Sequence, residues 1–369
     1  MARAVESVAF DHGAPMPNRF MLAPLTNQSS HADGTLSDAE HRFISMRALG
    51  GFGLTMTCAS HVSATGQGFA GQLGCFDDRH LDGLSALAES INRTGSRSFL
   101  QLHHAGNRSP VELIGTEPVC PSDDPDTGAR ALSTDEVAGV IEDFVAAAVR
   151  AERAGFSGVE LHGAHGYLLC QFLSPELNRR TDDYGGSLEN RSRIIFEIIA
   201  GIRERCGGDL TLAVRLSPER FGLRVDEIVE VFERLVATGE VDMIDLSLWD
   251  VYKRPEAAAS DHPADDEPAR LIETFASIPR RGVALGVAGK IRTAADAAWV
   301  LEQGTEGVDI AIIGRAAILH HDFPQRCLRD PDFEQRPLPV SEDDLRDEGL
   351  SDTFVTYMRN WPGFVADPV

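Results

Sequence analysis

The chain has 369 residues, 43% of them hydrophobic, enough to bury a sizeable core, and α/β barrels reach this length as single units. Thirty-four basic against fifty-seven acidic side chains leave a formal charge of −23, which opposes nucleic acid and anionic membrane surfaces as partners. There is no run of eighteen apolar residues and no charged-then-apolar leader, so the expectation is a cytoplasmic protein that does not span a membrane.

Taken in chain order, short apolar runs rich in β-formers fall at 18–23, 53–58, 98–102, 158–161, 210–216, 242–246, 283–287 and 308–313. Helical periodicity fills 38–49, 81–92, 134–154, 188–205, 226–237 and 293–301. The third helix opens on Ser133-Thr134-Asp135-Glu136, a capping-box signal, and ends before Gly155. Eight strands alternating with helices predict a single-domain (β/α)8 TIM barrel over 1–369, with an open doubly wound sheet as the alternative. The longest loops, 107–132 after the third strand and 249–268 after the sixth, stand over one mouth and are expected to shape a substrate pocket. The acidic clusters at 261–267 and 342–348 read as solvated faces. At the C-terminus an amphipathic helix from Asp343 onward ends in Tyr357-Met-Arg359-Asn-Trp361, a span too aromatic to be left in solvent. It is expected to cap its own barrel.

The stretch from Val159 to Arg193 organises the rest. It begins as a strand, breaks at Gly163, and delivers His162, His165 and Tyr167 together. Two imidazoles and a phenol can donate hydrogen bonds, polarise an oxygen and deliver a proton. A metal reading of His-x-x-His lacks a third ligand at a useful offset, so no metal is expected. The six cysteines are scattered without a Cys-x-x-Cys pair, which argues against zinc and iron–sulfur clusters, and the expected lack of a leader argues against disulfides. In a barrel, catalytic groups collect at the carboxyl ends of the strands, where Thr26, Gln101, His162 and Arg215 all fall. Arg215 is a charge inside an apolar run and calls for an anionic partner. Gly289 in VAGKI and Gly314-Arg315 in AIIGRAAIL follow the seventh and eighth strands, a common place for phosphate. Gly66-x-Gly68-x-x-Gly71 matches a dinucleotide fingerprint by letter, but it sits several residues past its strand and no helix follows, so it reads as a flexible loop.

The run His162-Gly-Ala-His165-Gly-Tyr167, with Ser-Pro-x-x-Asn-x-Arg-x-Asp-x-Tyr-Gly-Gly-Ser-x-Glu-Asn-Arg after it, resembles the signature of the old yellow enzyme family of ene-reductases. The resemblance implies non-covalent flavin mononucleotide (FMN), reduced by NADPH or NADH. Hydride would then pass to an activated alkene or a quinone, in ping-pong order. It implies cofactor contacts from Ala23, Pro24, Leu25, Thr26, Ala59, Gln101, Arg215, Gly289, Lys290, Gly314 and Arg315. Arg215 would face the flavin N1/O2 edge and Thr26 its O4. Substrate contacts are implied for His162, His165, Gln28 and Arg359, with Tyr167 as proton donor and Arg359 reaching across a possible homodimer. This chain departs from related sequences at Thr26, Gln28 and Asn107. Rival readings are a dienoyl-reductase-like oxidoreductase lacking the iron–sulfur domain, a phosphate-substrate isomerase or aldolase, and a silent flavin- or metabolite-binding barrel.

Overall fold

The computed structural model describes residues 1–256 and 268–367. Eight parallel strands close into a barrel: β1 (Phe20–Leu22), β2 (Leu54–His61), β3 (Arg97–His103), β4 (Gly158–Gly163), β5 (Thr211–Leu216), β6 (Met243–Ser247), β7 (Ala284–Ala288) and β8 (Ile310–Ile313). Each pairs with its neighbours in sequence and β8 pairs with β1, which closes the ring. Every strand overlaps its expected run, and the open-sheet alternative is excluded. Around the barrel lie α1 (Asp38–Leu49), α2 (Leu81–Asn92), α3 (Thr134–Arg153), α4 (Leu188–Arg205), α5 (Val225–Thr238), α6 (Leu271–Ala276) and α7 (Ala294–Leu301).

The local chemistry explains these bounds. In α3 both capping-box bonds form: the Ser133 hydroxyl accepts from Glu136 N–H, and the Glu136 carboxylate accepts from Ser133 N–H. Alternate strand residues point inward, and a first inward cluster is wholly apolar: Met21, Leu54, Met56, Phe99, Ala213, Met243, Ala284, Ile310 and Ile312. Phe99 explains why β4 begins with glycine. A Cβ on Gly158 would lie 2.5 Å from the Phe99 ring and 2.6 Å from the Thr211 carbonyl. This plug seals the barrel's amino-terminal side, so the polar inward residues gather toward the carboxyl end.

Several expectations need correction. The C-terminal helix is two helices, Glu342–Asp347 and Asp352–Met358, broken where Gly349 takes φ +85. A Cβ there would also sit 2.5 Å from the Met46 sulfur, so the chain must turn at a residue with no side chain. The 342–348 cluster is not simply a solvated face. Glu348 is buried and accepts from His321 Nδ1 and Arg336 Nη2, each at 2.7 Å. The 107–132 segment carries its own short helix, Val111–Ile114, and a two-stranded pairing of Val119–Cys120 with Arg130–Ala131. Residues 66–71 form no strand-to-helix phosphate turn. They pack as a loop on the end of β3, where the Gly66 carbonyl accepts from Ala105 N–H at 2.9 Å. In the 249–268 loop, residues 257–267 lie outside the described residues, and the 261–267 acidic cluster with them. No helix among the described residues is long and apolar enough to cross a membrane, and all six cysteines are free and buried.

Candidate active site

His162 is the penultimate residue of β4, held inside the sheet opposite Arg215 of β5. After Gly163 the chain turns sharply, because His165 and Gly166 both take left-handed conformations, φ +60 and +73. Gly166 tolerates this freely, and any side chain there would collide with the Phe221 ring at 2.8 Å. The Ser217 hydroxyl pins the turn by accepting from His165 N–H at 3.1 Å. The turn folds His165 back over His162, with ring centroids 5.0 Å apart and His165 Nδ1 3.3 Å from His162 Nε2. Tyr167 then caps a short helix, Leu168–Leu173. Its ring packs edge-on against His162 and His103, at 5.1 and 4.4 Å. The Arg108 guanidinium lies over the other side of that ring at 4.7 Å and donates to the His165 carbonyl at 2.7 Å.

Both histidines are neutral. Burial holds their pKa values well below the usual imidazole range, and nearby positive groups, among them Arg215, push the same way. A neutral imidazole has one N–H, so the tautomers matter. His162 Nδ1 accepts from Ala164 N–H at 3.3 Å, which leaves its proton on Nε2, facing His165. His165 Nε2 meets the Ser247 hydroxyl at 2.7 Å.

Below the histidines the barrel interior is charged. Arg215, the buried charge that calls for an anionic partner, has its Nε 3.0 Å from Asp245 Oδ2 on β6. Gln101 on β3 donates from Nε2 to Glu160 Oε2 on β4 at 2.6 Å. Glu160 and Asp245 escaped the sequence reading, although the signal was there. Each is a charge within an apolar strand, the same pattern that singled out Arg215.

A cleft of about 280 Å3 opens beside this cluster. One wall is Ala23, Pro24 and Leu25, and the rim includes Trp249 and Trp361. At its far end Gly289, Lys290, Arg292, Gly314 and Arg315 follow β7 and β8. A Cβ on Gly289 would lie 2.9 Å from Asp250 N, and Gly314 faces open space, so backbone N–H groups there can approach a ligand closely. Burial and then Arg292 beside it lower the Arg315 pKa, while Arg292 also helps Lys290 hold the Asp250 carboxyl low. Two adjacent guanidinium groups at a cleft end suit a phosphate. Lys290 is differently engaged, its Nζ 2.9 Å from Asp250 Oδ2. The cleft, with cations at one end and Arg215 lining the other, fits the donor needs of flavin mononucleotide.

The remaining expected residues are scattered. Thr26 lies beside Tyr357 and acts on its phenol. Ala59 has its carbonyl occupied by Gln72 Nε2 at 2.9 Å, beside a bulge in β2. Gln28 takes φ +54, and its carbonyl packs against Gly71. Arg359 is not brought to the cleft of its own chain. It donates to Glu342 Oε1 at 2.6 Å on the outer face, while Tyr357 and Trp361 turn inward instead.

Comparison with known proteins adds the family. The sequence profile of the NADH:flavin oxidoreductase / NADH oxidase family matches residues 12–330. A probable NADH-dependent flavin oxidoreductase of Bacillus subtilis is 35% identical over 325 residues, 85% of this chain and 84% of that protein. An NADPH dehydrogenase of Bacillus pumilus is 33% identical, with 86% of this chain and 92% of that protein covered. Other matched relatives are longer, and the chain spans 36% of the NADH:fumarate oxidoreductase of Klebsiella pneumoniae. Among solved structures, morphinone reductase superposes with a TM-score of 0.75 at 27% identity, over 93% of this chain and 92% of that one.

Proposed function

The chain belongs to the NADH:flavin oxidoreductase / NADH oxidase family, that of the old yellow enzymes, and is an FMN- and NAD(P)H-dependent oxidoreductase; we propose that it reduces activated alkenes or quinones. The observation that carries this reading is the convergence of His162, His165 and Tyr167, three proton-bearing groups within about a ring's width of one another, beside the cleft mouth. Bound FMN supplies a group that accepts hydride from NADH or NADPH and returns it to a second substrate.

The chain's own residues then have distinct tasks. Gly289, Gly314, Arg292 and Arg315 take the phosphate, with Lys290 restrained by Asp250. Ala23, Pro24 and Leu25 line the ring, Thr26 and Ala59 border it, and Gln101 and Arg215 meet its polar edge. His162 and His165 hold the oxygen of an enone, maleimide, nitroalkene or quinone between facing nitrogens, which makes the β-carbon of the alkene electron-poor. Tyr167 gives its phenolic proton to the α-carbon as a weak general acid. Gln28 contacts the substrate, and Trp249 supplies an exposed aromatic face at the mouth, its ring 6.3 Å from His165. A homodimer in which Arg359 borders the neighbour's pocket requires Glu342 to release that guanidinium.

Tyr167→Phe tests the reading by separating two half-reactions. Reduction of the holoenzyme by NAD(P)H needs no phenol and changes little. Reoxidation by cyclohexenone slows by roughly two orders of magnitude, the scale of a lost general acid. Equal slowing of both in anaerobic stopped flow refutes the role of Tyr167.

A further inference from the structure

Four inward residues from adjacent strands meet out of water beneath the cleft: Gln101, Glu160, Arg215 and Asp245, none more than 5% exposed. Two carboxyl groups face one guanidinium. With both ionised, the cluster would hold an uncompensated negative charge in a low-dielectric interior. The hydrogen bonds agree that it does not. Glu160 Oε1 and Asp245 Oδ1 have no donor, and Arg215 Nε meets Asp245 Oδ2 at 3.0 Å without forming an aligned hydrogen bond. Glu160 and Asp245 act on each other within this cluster, and two carboxyls that meet out of water hold one proton between them rather than both ionise. Burial, and then Asp245, raises the Glu160 pKa; burial raises that of Asp245 against the pull of Arg215. Among the described residues, the neighbours of the pair leave the proton to it. Gly286 and Ile312 on β7 and β8 and Met21 and Met56 on β1 and β2 are not titratable. Gln101 only donates to Glu160, and His162 and His165 above are neutral.

We propose that Glu160 and Asp245 are positioning residues that share one proton beneath Arg215 and hold it more tightly once the flavin is reduced, so that the pair sets how much of the Arg215 charge reaches the flavin. The proposal rests on the reading that the flavin's N1/O2 edge lies against Arg215. Hydride brings two electrons and one proton to the flavin and leaves negative charge at that edge. Under alkaline conditions, where the oxidised enzyme has lost the shared proton, one further proton from solvent then binds one carboxylate and leaves Arg215 free to compensate the flavin. At neutral pH the proton is already in place and none is taken up.

The test is the flavin midpoint potential of the holoenzyme against pH, from neutral to alkaline. In the wild type the alkaline arm should show one more proton per two electrons than in Glu160→Gln. The amide imitates the protonated carboxyl by donating to Asp245 and accepting from Gln101, so the two potentials should converge at neutral pH. A reduced-minus-oxidised infrared spectrum of the wild type at alkaline pH should gain a protonated-carboxyl band that shifts in deuterium oxide. This needs no variant and decides the matter if Glu160→Gln does not fold. Identical slopes, or no such band, overturn the proposal. An unchanged potential in Arg215→Ala instead overturns the placement of the flavin edge, and the proposal with it.

Discussion

The Ser247 hydroxyl lies 2.7 Å from His165 Nε2, while His165 Nδ1 faces His162 Nε2 at 3.3 Å. A hydroxyl can donate or accept, so it allows two tautomers. If it accepts, His165 carries its proton on Nε2, and His162 alone points an N–H at the space between the rings. If it donates, His165 carries the proton on Nδ1, and both rings bracket one point. An oxygen ligand selects the second state, with Ser247 as its support. Ser247→Ala should therefore weaken binding of para-substituted phenols about tenfold, the loss of one hydrogen bond of about 1 kcal/mol or slightly more. His162→Ala with His165→Ala should abolish it. The long-wavelength charge-transfer absorbance of a phenolate over oxidised flavin reports both, and an unchanged dissociation constant in Ser247→Ala removes the serine from the account. Here the sequence was partly legible. The spacing of His162, His165 and Tyr167 named the three groups, but nothing local to that motif showed that the orienting hydroxyl comes from β6, 82 residues away. Asp245, the partner of Arg215, was concealed in the same way, since it comes from the next strand of the barrel.

At the scale of elements, the strands and most helices could be read because their apolar period survives any tertiary context. The C-terminal pair could not. Its break at Gly349 is set by a left-handed turn against Met46, a contact between distant parts of the chain. That break aims the last helix. Phe354 packs edge-on against Phe43 of α1 at 5.0 Å, Tyr357 reaches Thr26, and Trp361, 5.0 Å from Tyr357, lines the cleft. The chain end thus caps its own barrel. Trp361→Ala should raise the FMN dissociation constant about tenfold, in keeping with a lost aromatic contact, whereas Arg359→Ala should leave it unchanged. Recovery of flavin fluorescence on dilution measures both. Equal flavin loss in the two variants would mean that the tail acts through general stability, not through the Trp361 ring.

For the whole molecule, buried histidines govern the response to acid. His61, His80, His103, His104, His162, His165 and His320 all have pKa values lowered chiefly by burial, His61, His80 and His320 to about 4 and His104 to about 3. The unfolded chain protonates them near pH 6.5 and the native state does not, so stability is present above that pH and is lost as pH falls below it. Each such histidine contributes a slope of about 1.4 kcal/mol per pH unit. Glu40, Asp143, Glu160 and Asp245 have raised values and act in the opposite sense, but they are fewer. The melting temperature should therefore fall steeply between pH 6.5 and 5 at constant ionic strength. A flat profile there would mean that the histidine cluster is solvated. The central claim, that one flavin site serves both a nicotinamide and an alkene, is tested most directly by anaerobic stopped flow on the holoenzyme. NADH or NADPH should bleach the flavin, and cyclohexenone should restore its absorbance with saturable kinetics. If the colour returns only when oxygen is admitted, with enones, maleimides, nitroalkenes and quinones all inert, the account is wrong.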